Sequence, residues 1–139
     1  MSENKWKVHE YLILIDESHL DFVGHMNNIA YLEIFEKARW QMITERGYGL
    51  KTMNERKQGP VILQINIQFK KEVLLRSKMT VVSQTLSFKG KVGKISQRMI
   101  SDSGEIHCEA ELTIGLFDLR ERKLVEAGPE WIHACGAIL

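Results

Sequence analysis

Between His19 and Asn28 the sequence gathers polar residues and one glycine directly ahead of a helical stretch: His19-Leu20-Asp21-Phe22-Val23-Gly24-His25-Met26-Asn27-Asn28. A helix start carries unpaired backbone N–H groups and about half a unit of positive charge. A carbonyl oxygen that gains negative charge during a reaction is stabilised there. Asp21 precedes that start by a short loop, so its carboxylate can reach an electrophile held against those amides. The pair would serve acyl transfer, with N–H donors for the oxygen and a carboxylate as nucleophile or as base for water. The plainer reading of an acidic residue before a helix is a cap, and on residue types alone the cap is the stronger of the two.

The elements that must hold this loop follow from periodicity. Trp6 to Ile15 is rich in strand formers and ends at Asp16-Glu17. From Ile29 to Arg46 the apolar residues Ala30, Tyr31, Phe35, Ala38, Met42 and Ile43 follow helical spacing, which predicts one helix of about five turns. Asn27 or Asn28 is the candidate cap, and Gly47 and Gly49 stop the helix. Downstream the period becomes two. Val61, Leu63, Ile65, Ile67 and Phe69 are expected on one face of a strand, with Ile62, Gln64, Asn66 and Gln68 on the other. Ser77–Phe88 and Val92–Ser101 read as two strands joined at Lys89-Gly90-Lys91, and Asp102-Ser103-Gly104 is a turn. Ile106, Cys108, Ala110, Leu112, Ile114 and Leu116 alternate along a last strand.

Strand, helix and then four strands predict an α+β domain with an antiparallel sheet. Five strands at about 4.8 Å make a sheet about 24 Å wide, whereas a helix is only about 10–12 Å across. One helix cannot cover that sheet, so the sheet is expected to curl around it and to meet a second subunit.

Composition narrows the function. The chain has 139 residues, 44% of them hydrophobic, and a net charge of +1, which predicts a single domain over residues 1–139. Near-neutral charge gives no reason to expect nucleic acid. The longest apolar run, Tyr11 to Ile15, is too short for a membrane span and no leader pattern is present, so a cytoplasmic globular protein is expected. Two cysteines make no disulfide framework. His9, His107 and His133 have no metal spacing, and no metal or cofactor is expected.

The run Asp21-x-x-Gly24-His25-x-Asn27-Asn28-x-x-Tyr31-Leu32-x-x-Phe35-Glu36-x-Ala38-Arg39 resembles the signature of the 4-hydroxybenzoyl-CoA thioesterase family. Within that family the chain is most similar to the bacterial long-chain acyl-CoA thioesterases of the type III group. Further points of likeness are His19-Leu20-Asp21, Glu36-x-Ala38-Arg39-Trp40, Gln64-Ile65-Asn66-Ile67, and Gly90-Lys91 followed by Ile95-Ser96-Gln97. The resemblance implies the hotdog fold, a five-stranded antiparallel sheet wrapped around one long helix. It also implies subunits paired edge to edge as a homodimer, with a dimer of dimers left open. The implied activity is hydrolysis of a fatty acyl-CoA to the free acid and CoA.

By position, the resemblance makes Asp21 the catalytic carboxylate and the Asn28 N–H the amide that polarises the thioester carbonyl. Glu36 matches the helix carboxylate that some branches use instead, but it lies two turns along the helix, and Asp21 fits better. The family often joins strands two and three through a proline and then an aspartate. Here those positions fall at Glu72 and Ser77, which predicts a differently shaped connection.

Other residues carry competing readings. His25 could position a water or the carboxylate, or simply orient the loop. Asn27 is a substrate-side candidate, but a cap is the simpler role. Tyr31 faces either the acyl channel or the core. Ile29, Leu32 and Ile65 are candidates to line that channel. Lys89 and Lys91, with Lys94 and Arg98 nearby, could meet the CoA phosphates or only water. Asn66 is expected at solvent or an interface, and Cys108 in the core. Competing functions are hydrolysis of an aromatic or short acyl-CoA, a dehydratase using His25 and Glu36, and a non-catalytic acyl-CoA-binding domain. The His-Phe-Pro motif of the hotdog dehydratases is absent from the sequence.

Overall fold

The computed structural model describes residues 5–21 and 26–138. The chain opens with two short strands, β1 (Lys5–Trp6) and β2 (His9–Leu14), where the sequence predicts one. The break falls at Lys7, whose N–H turns aside to donate to the Gly136 carbonyl at 2.8 Å. A 3-10 turn (Glu17–His19) follows, and then α1 (Asn28–Glu45), one residue ahead of its predicted span. Its buried stripe, Ala30, Tyr31, Ile34, Phe35, Ala38, Met42 and Ile43, has the expected spacing. Gly47, at φ +92°, ends the helical path where an L side chain would be strained.

A short α2 (Leu50–Arg56) precedes four long strands: β3 (Gln58–Phe69), β4 (Lys78–Lys89), β5 (Val92–Ser101) and β6 (Ile106–Asp118). The chain continues through β7 (Lys123–Val125), α3 (Pro129–Ala134) and β8 (Ala137–Ile138). The main antiparallel path β2-β4-β5-β6-β3 has the five strands predicted, and β7 adds a short sixth on β6. β1 and β8 pair as a separate two-stranded sheet. Segments α2, α3, β7 and β8 are too short for periodicity to reveal them.

The sheet's inner face packs on α1. Met79 and Val81 of β4, Ile95 and Met99 of β5, and Cys108, Leu112, Ile114 and Leu116 of β6 are all nearly inaccessible. Burying each such side chain is worth about 1.5–3 kcal/mol. Three polar residues share this face, and each is bonded. Gln97 donates to the Phe35 carbonyl (2.9 Å) and to Ser83 Oγ (3.0 Å), and Thr85 donates to the Cys135 carbonyl (2.7 Å).

The predicted faces of β3 need correction. Its register against β6 shifts between Ile62 and Gln64, so Leu63 is an extra residue and the alternation changes phase there. Pro60 and Ile62 pair with the inward Leu116 and Ile114, while Ile65, Ile67 and Phe69 pair with Leu112, Ala110 and Cys108. Val61 instead pairs with Gly115 on the outer face. α1 lies against β2 and β4, leaving the β3 side uncovered. Ile62, Leu63, Ile65 and Phe69 stay 37–51% exposed. The width mismatch read from the sequence is thus resolved at one edge.

Candidate active site

Asp21 follows a turn built to hold its position. Asp16 Oδ1 accepts from the Ser18 N–H (2.9 Å) and the Ser18 hydroxyl (2.5 Å), which holds the Asp16 carboxyl below its ordinary value. The Asp16 N–H donates to His19 Nδ1 at 2.9 Å. That nitrogen accepts the bond, and the Asp16 carboxylate lies 3.4 Å from it.

The loop is then pinned at its neck. Leu20 and Met26 form an antiparallel bridge, the Asn27 N–H donates to the His19 carbonyl (2.7 Å), and the Met26 N–H donates to the Val73 carbonyl (3.2 Å). The last bond fastens the loop to the β3–β4 connection. That connection follows its own path: Lys70 and Lys71 both donate to the His107 carbonyl, Val73 is buried, and Arg76 has φ +65°. His25 lies outside the described residues.

Asn27 caps α1. Its Oδ1 accepts from the Ile29 N–H at 2.8 Å, and its carbonyl accepts from Ala30 at 2.9 Å. Neither acceptor uses the Asn28 N–H, which stands at the positive end of five helical turns. The side chain of Asn27 is thus committed to the helix, the simpler of its two expected roles.

Asp21, Asn28 and Tyr31 line one open cavity with Met26, Phe69 and Glu72, and Lys70 and Lys71 stand at the same place. Tyr31 is only 4% exposed, as its core reading expects, and it also borders this cavity. Its ring meets Phe69 edge to face at 5.1 Å, and burial pushes its hydroxyl up to about 12. At neutral pH it is a donor and not a base. Lys70 pairs with Glu109 (2.8 Å) and Lys71 with Glu105, which offsets their charge beside the carboxylate.

Phe69, Lys70 and Lys71 do not stand out as site residues in the sequence. They reach the site only because β3 ends beside the start of α1. The carboxylate, the helix-start amide and an apolar wall suit attack on a carbonyl carbon whose oxygen points at the amide.

The other candidates lie elsewhere. Glu36 borders a separate, more apolar cavity with Arg39 and Trp40, about 12 Å along the helix from Asn28 at 1.5 Å per residue. Arg39 donates to Gln97 Oε1 at 2.8 Å, and its burial lowers its pKa while Glu36 opposes the shift. Lys89 and Lys91 sit at the far end of β4, whose near end is tied to Ile15; along the strand that is about 36 Å. Asn66 is exposed, in a shallow outer-face groove with Gln68 and Ser96. Cys108 is core.

Comparison with known proteins gives the family and the fold. A family model described as the thioesterase-like superfamily matches residues 16–134. The long-chain acyl-CoA thioesterase FadM of Escherichia coli is 32% identical over 106 residues, covering 76% of this chain and 80% of that protein. The crystal structure of the probable thioesterase YbaW from E. coli superposes with a TM-score of 0.81 at 28% identity, covering 91% of this chain and 95% of that one. A Staphylococcus aureus protein, SAV2348, solved in complex with CoA, gives 0.87 at 13% identity over 96% and 85% of the two chains. The last is a likeness of fold alone. The hotdog arrangement is the fold of this chain.

Proposed function

We propose that this chain, which belongs to the thioesterase-like superfamily, hydrolyses a long-chain fatty acyl-CoA to the free acid and CoA. The observation that carries the reading is that Asp21 and the helix-start residue Asn28 line one cavity beside the buried Tyr31. The thioester oxygen sits against the Asn28 N–H, and the Asp21 carboxylate attacks the carbonyl carbon or takes a proton from the water that does. In the first case an acyl–Asp21 anhydride forms as CoA thiolate leaves, and water then hydrolyses it to the free acid; in the second the adduct of water collapses to the acid, and the departing CoA thiolate takes up the proton that Asp21 removed. The likeness to FadM supports a long acyl chain. Glu36 stands too far along α1 to share this step. The reading keeps the expected cytoplasmic setting. No helix among the described residues is long and apolar enough to cross a membrane.

The open β3 edge and its exposed apolar side chains support a homodimer joined through β3. Antiparallel pairing of two β3 edges sets the Gln58 end of one against the Phe69 end of the other. The β4–β5 hairpin lies at the Gln58 end, because Val61 and Val92 both pair with Gly115. The partner's hairpin then comes to the same end of the dimer as this chain's Asp21. In that assembly Lys89 and Lys91 serve the CoA phosphates across the interface.

The test is thiol release from palmitoyl-CoA, acetyl-CoA and 4-hydroxybenzoyl-CoA by wild type and Asp21→Asn side by side. Palmitoyl-CoA turnover that falls about 10²-fold or more in the variant supports the reading. Preference for 4-hydroxybenzoyl-CoA would replace the long chain by an aromatic one. Binding of acyl-CoA without turnover of any substrate would make the domain a non-catalytic binder.

A further inference from the structure

Glu72 lines the same cavity as Asp21, Asn28 and Tyr31, yet the hydrolysis above gives it no task. It is also one of the two positions in the β3–β4 connection where the sequence departs from the pattern it resembles. The backbone holds it from both sides. His107 Nδ1 donates to the Glu72 carbonyl (2.9 Å), and the His107 carbonyl accepts from the N–H groups of Lys70 (2.9 Å) and Lys71 (3.0 Å). The next residue, Val73, is fully buried, and its carbonyl takes the Met26 N–H. The connection is therefore anchored both to β6 and to the neck of the Asp21 loop. Between these anchors the Glu72 residue is exposed.

Hydrolysis at the start of a helix meets an electrostatic conflict. The substrate is uncharged at its thioester, whereas the fatty acid product is a carboxylate at neutral pH. The N–H groups and positive end of α1 stabilise a transient oxyanion, and they hold a full anion by the same means. Unopposed, they retain the product. Lys70 and Lys71 would add to that hold, but each is paired with a carboxylate, Lys70 with Glu109 at 2.8 Å and Lys71 with Glu105. Against the start of α1 stand the charges of Asp21 and Glu72. A cavity of about 340 Å³ puts the groups on its wall within the roughly 10 Å over which charges act in 0.1 M salt. That reach is visible at Tyr31, where burial first, and then neighbouring groups including Glu72, push the hydroxyl up to about 12.

We infer that Glu72 discharges the product: its carboxylate repels the fatty acid carboxylate held at the Asn28 N–H and leaves the uncharged thioester unopposed. The inference rests on the thioesterase reading, which it deepens by giving a task to a residue outside the bond-breaking step. Glu72 makes and breaks no bond. Asp21 bears the same charge, but it is bound to the chemistry; a second carboxylate separates release from attack. CoA carries its own charges on phosphates remote from the thioester, where screening weakens the effect of Glu72.

Two substitutions test it. Glu72→Gln keeps the shape of the side chain and removes its charge, and Glu72→Asp keeps the charge on a shorter arm. The probes are laurate and 1-dodecanol, equal in chain and different in charge, each used as an inhibitor of lauroyl-CoA hydrolysis. Melting curves check the folded state of each variant. We expect Glu72→Gln to bind laurate about fivefold more tightly than wild type while dodecanol is unmoved, and the gap to narrow in high salt. Glu72→Asp should return most of the wild-type discrimination. A merely structural change in the cavity wall would move both inhibitors together. In a folded, active variant, that result, or no change in either inhibitor, would overturn the role of Glu72 and spare the thioesterase reading. A wild type that releases no thiol from any acyl-CoA would overturn the thioesterase reading itself, and the role of Glu72 with it.

Discussion

Gln97 donates its side-chain amide to the backbone carbonyl of Phe35 at 2.9 Å, in the middle of α1 and out of reach of water. The same side chain also donates to Ser83 and accepts from Arg39. One residue of β5 thereby fixes the rotation of the helix that carries Asn28 at its start and Glu36 on its flank. Replacing Gln97 with Leu leaves the half-buried Arg39 donor without its acceptor. We expect a loss of about 2 kcal/mol, read from the denaturant midpoint at constant m-value.

Asp21 and Glu36 should separate cleanly in kinetics. Glu36→Gln should leave kcat for acetyl-CoA within about threefold of wild type, whereas Asp21→Asn lowers it by about 10²-fold or more. Single-turnover measurements on both variants check this. The reverse result would transfer the chemistry to the helix carboxylate.

The alkaline limb of stability has a definite sign. Burial pushes the thiols of Cys108 and Cys135 and the hydroxyl of Tyr31 up to about 12. Unfolded, these groups titrate at their ordinary values of 9 and 10. Between those values and about 12 the unfolded chain binds fewer protons than the native one, so stability falls as pH rises. Below pH 9 this contribution is fully present. Melting curves from pH 8 to 11 should show the decline, and it should be shallower in Cys108→Ala than in wild type.

The exposed edge predicts an assembly. Light scattering on wild type should give twice the 16.1 kDa chain mass or more. Leu63→Lys places a charge at the bulge of β3, where the side chain is 46% exposed, and should shift the population toward monomer. A wild type that runs as a monomer at micromolar concentration would remove the dimer from the reading.

Lys89 and Lys91 offer a test of the dimer's geometry. Replacing both with Ala should raise KM for acyl-CoA several-fold with kcat nearly unchanged, and the effect should shrink at high salt. Lysines that only face water would leave KM where it was.

Much of this was legible in the residues, for identifiable reasons. The helix from Asn28 to Glu45 shows its stripe because its burial is one-sided, and β6 alternates because one face meets the core and the other does not. β3 misleads because the bulge at Leu63 changes which residues face inward, and an extra residue leaves no mark in an apolar run. At the site, Asp21 and Asn28 are seven positions apart in sequence and could be read together. Phe69 and Glu72 join them through long-range contacts such as the bond from Met26 to Val73 and the packing of Tyr31 on Phe69, between segments roughly forty to fifty residues apart. The cavity that Glu36 and Trp131 line was hidden for a similar reason: a six-residue helix near the end of the chain gives no periodic signal.

The turn between β4 and β5 ties two of these features together. Gly93 lies under the Phe88 ring so closely that a Cβ there would collide with it, and Phe88 in turn packs on Trp131. A side chain at position 93 would push Phe88 aside and disturb the wall of the cavity without touching its lining. The packing around the cavity that Glu36 and Trp131 line is therefore open to disturbance from a residue outside its lining. A change in the hairpin beside Lys91, remote from Asp21, would reach the packing of Trp131 while leaving the Asp21 cavity as it was.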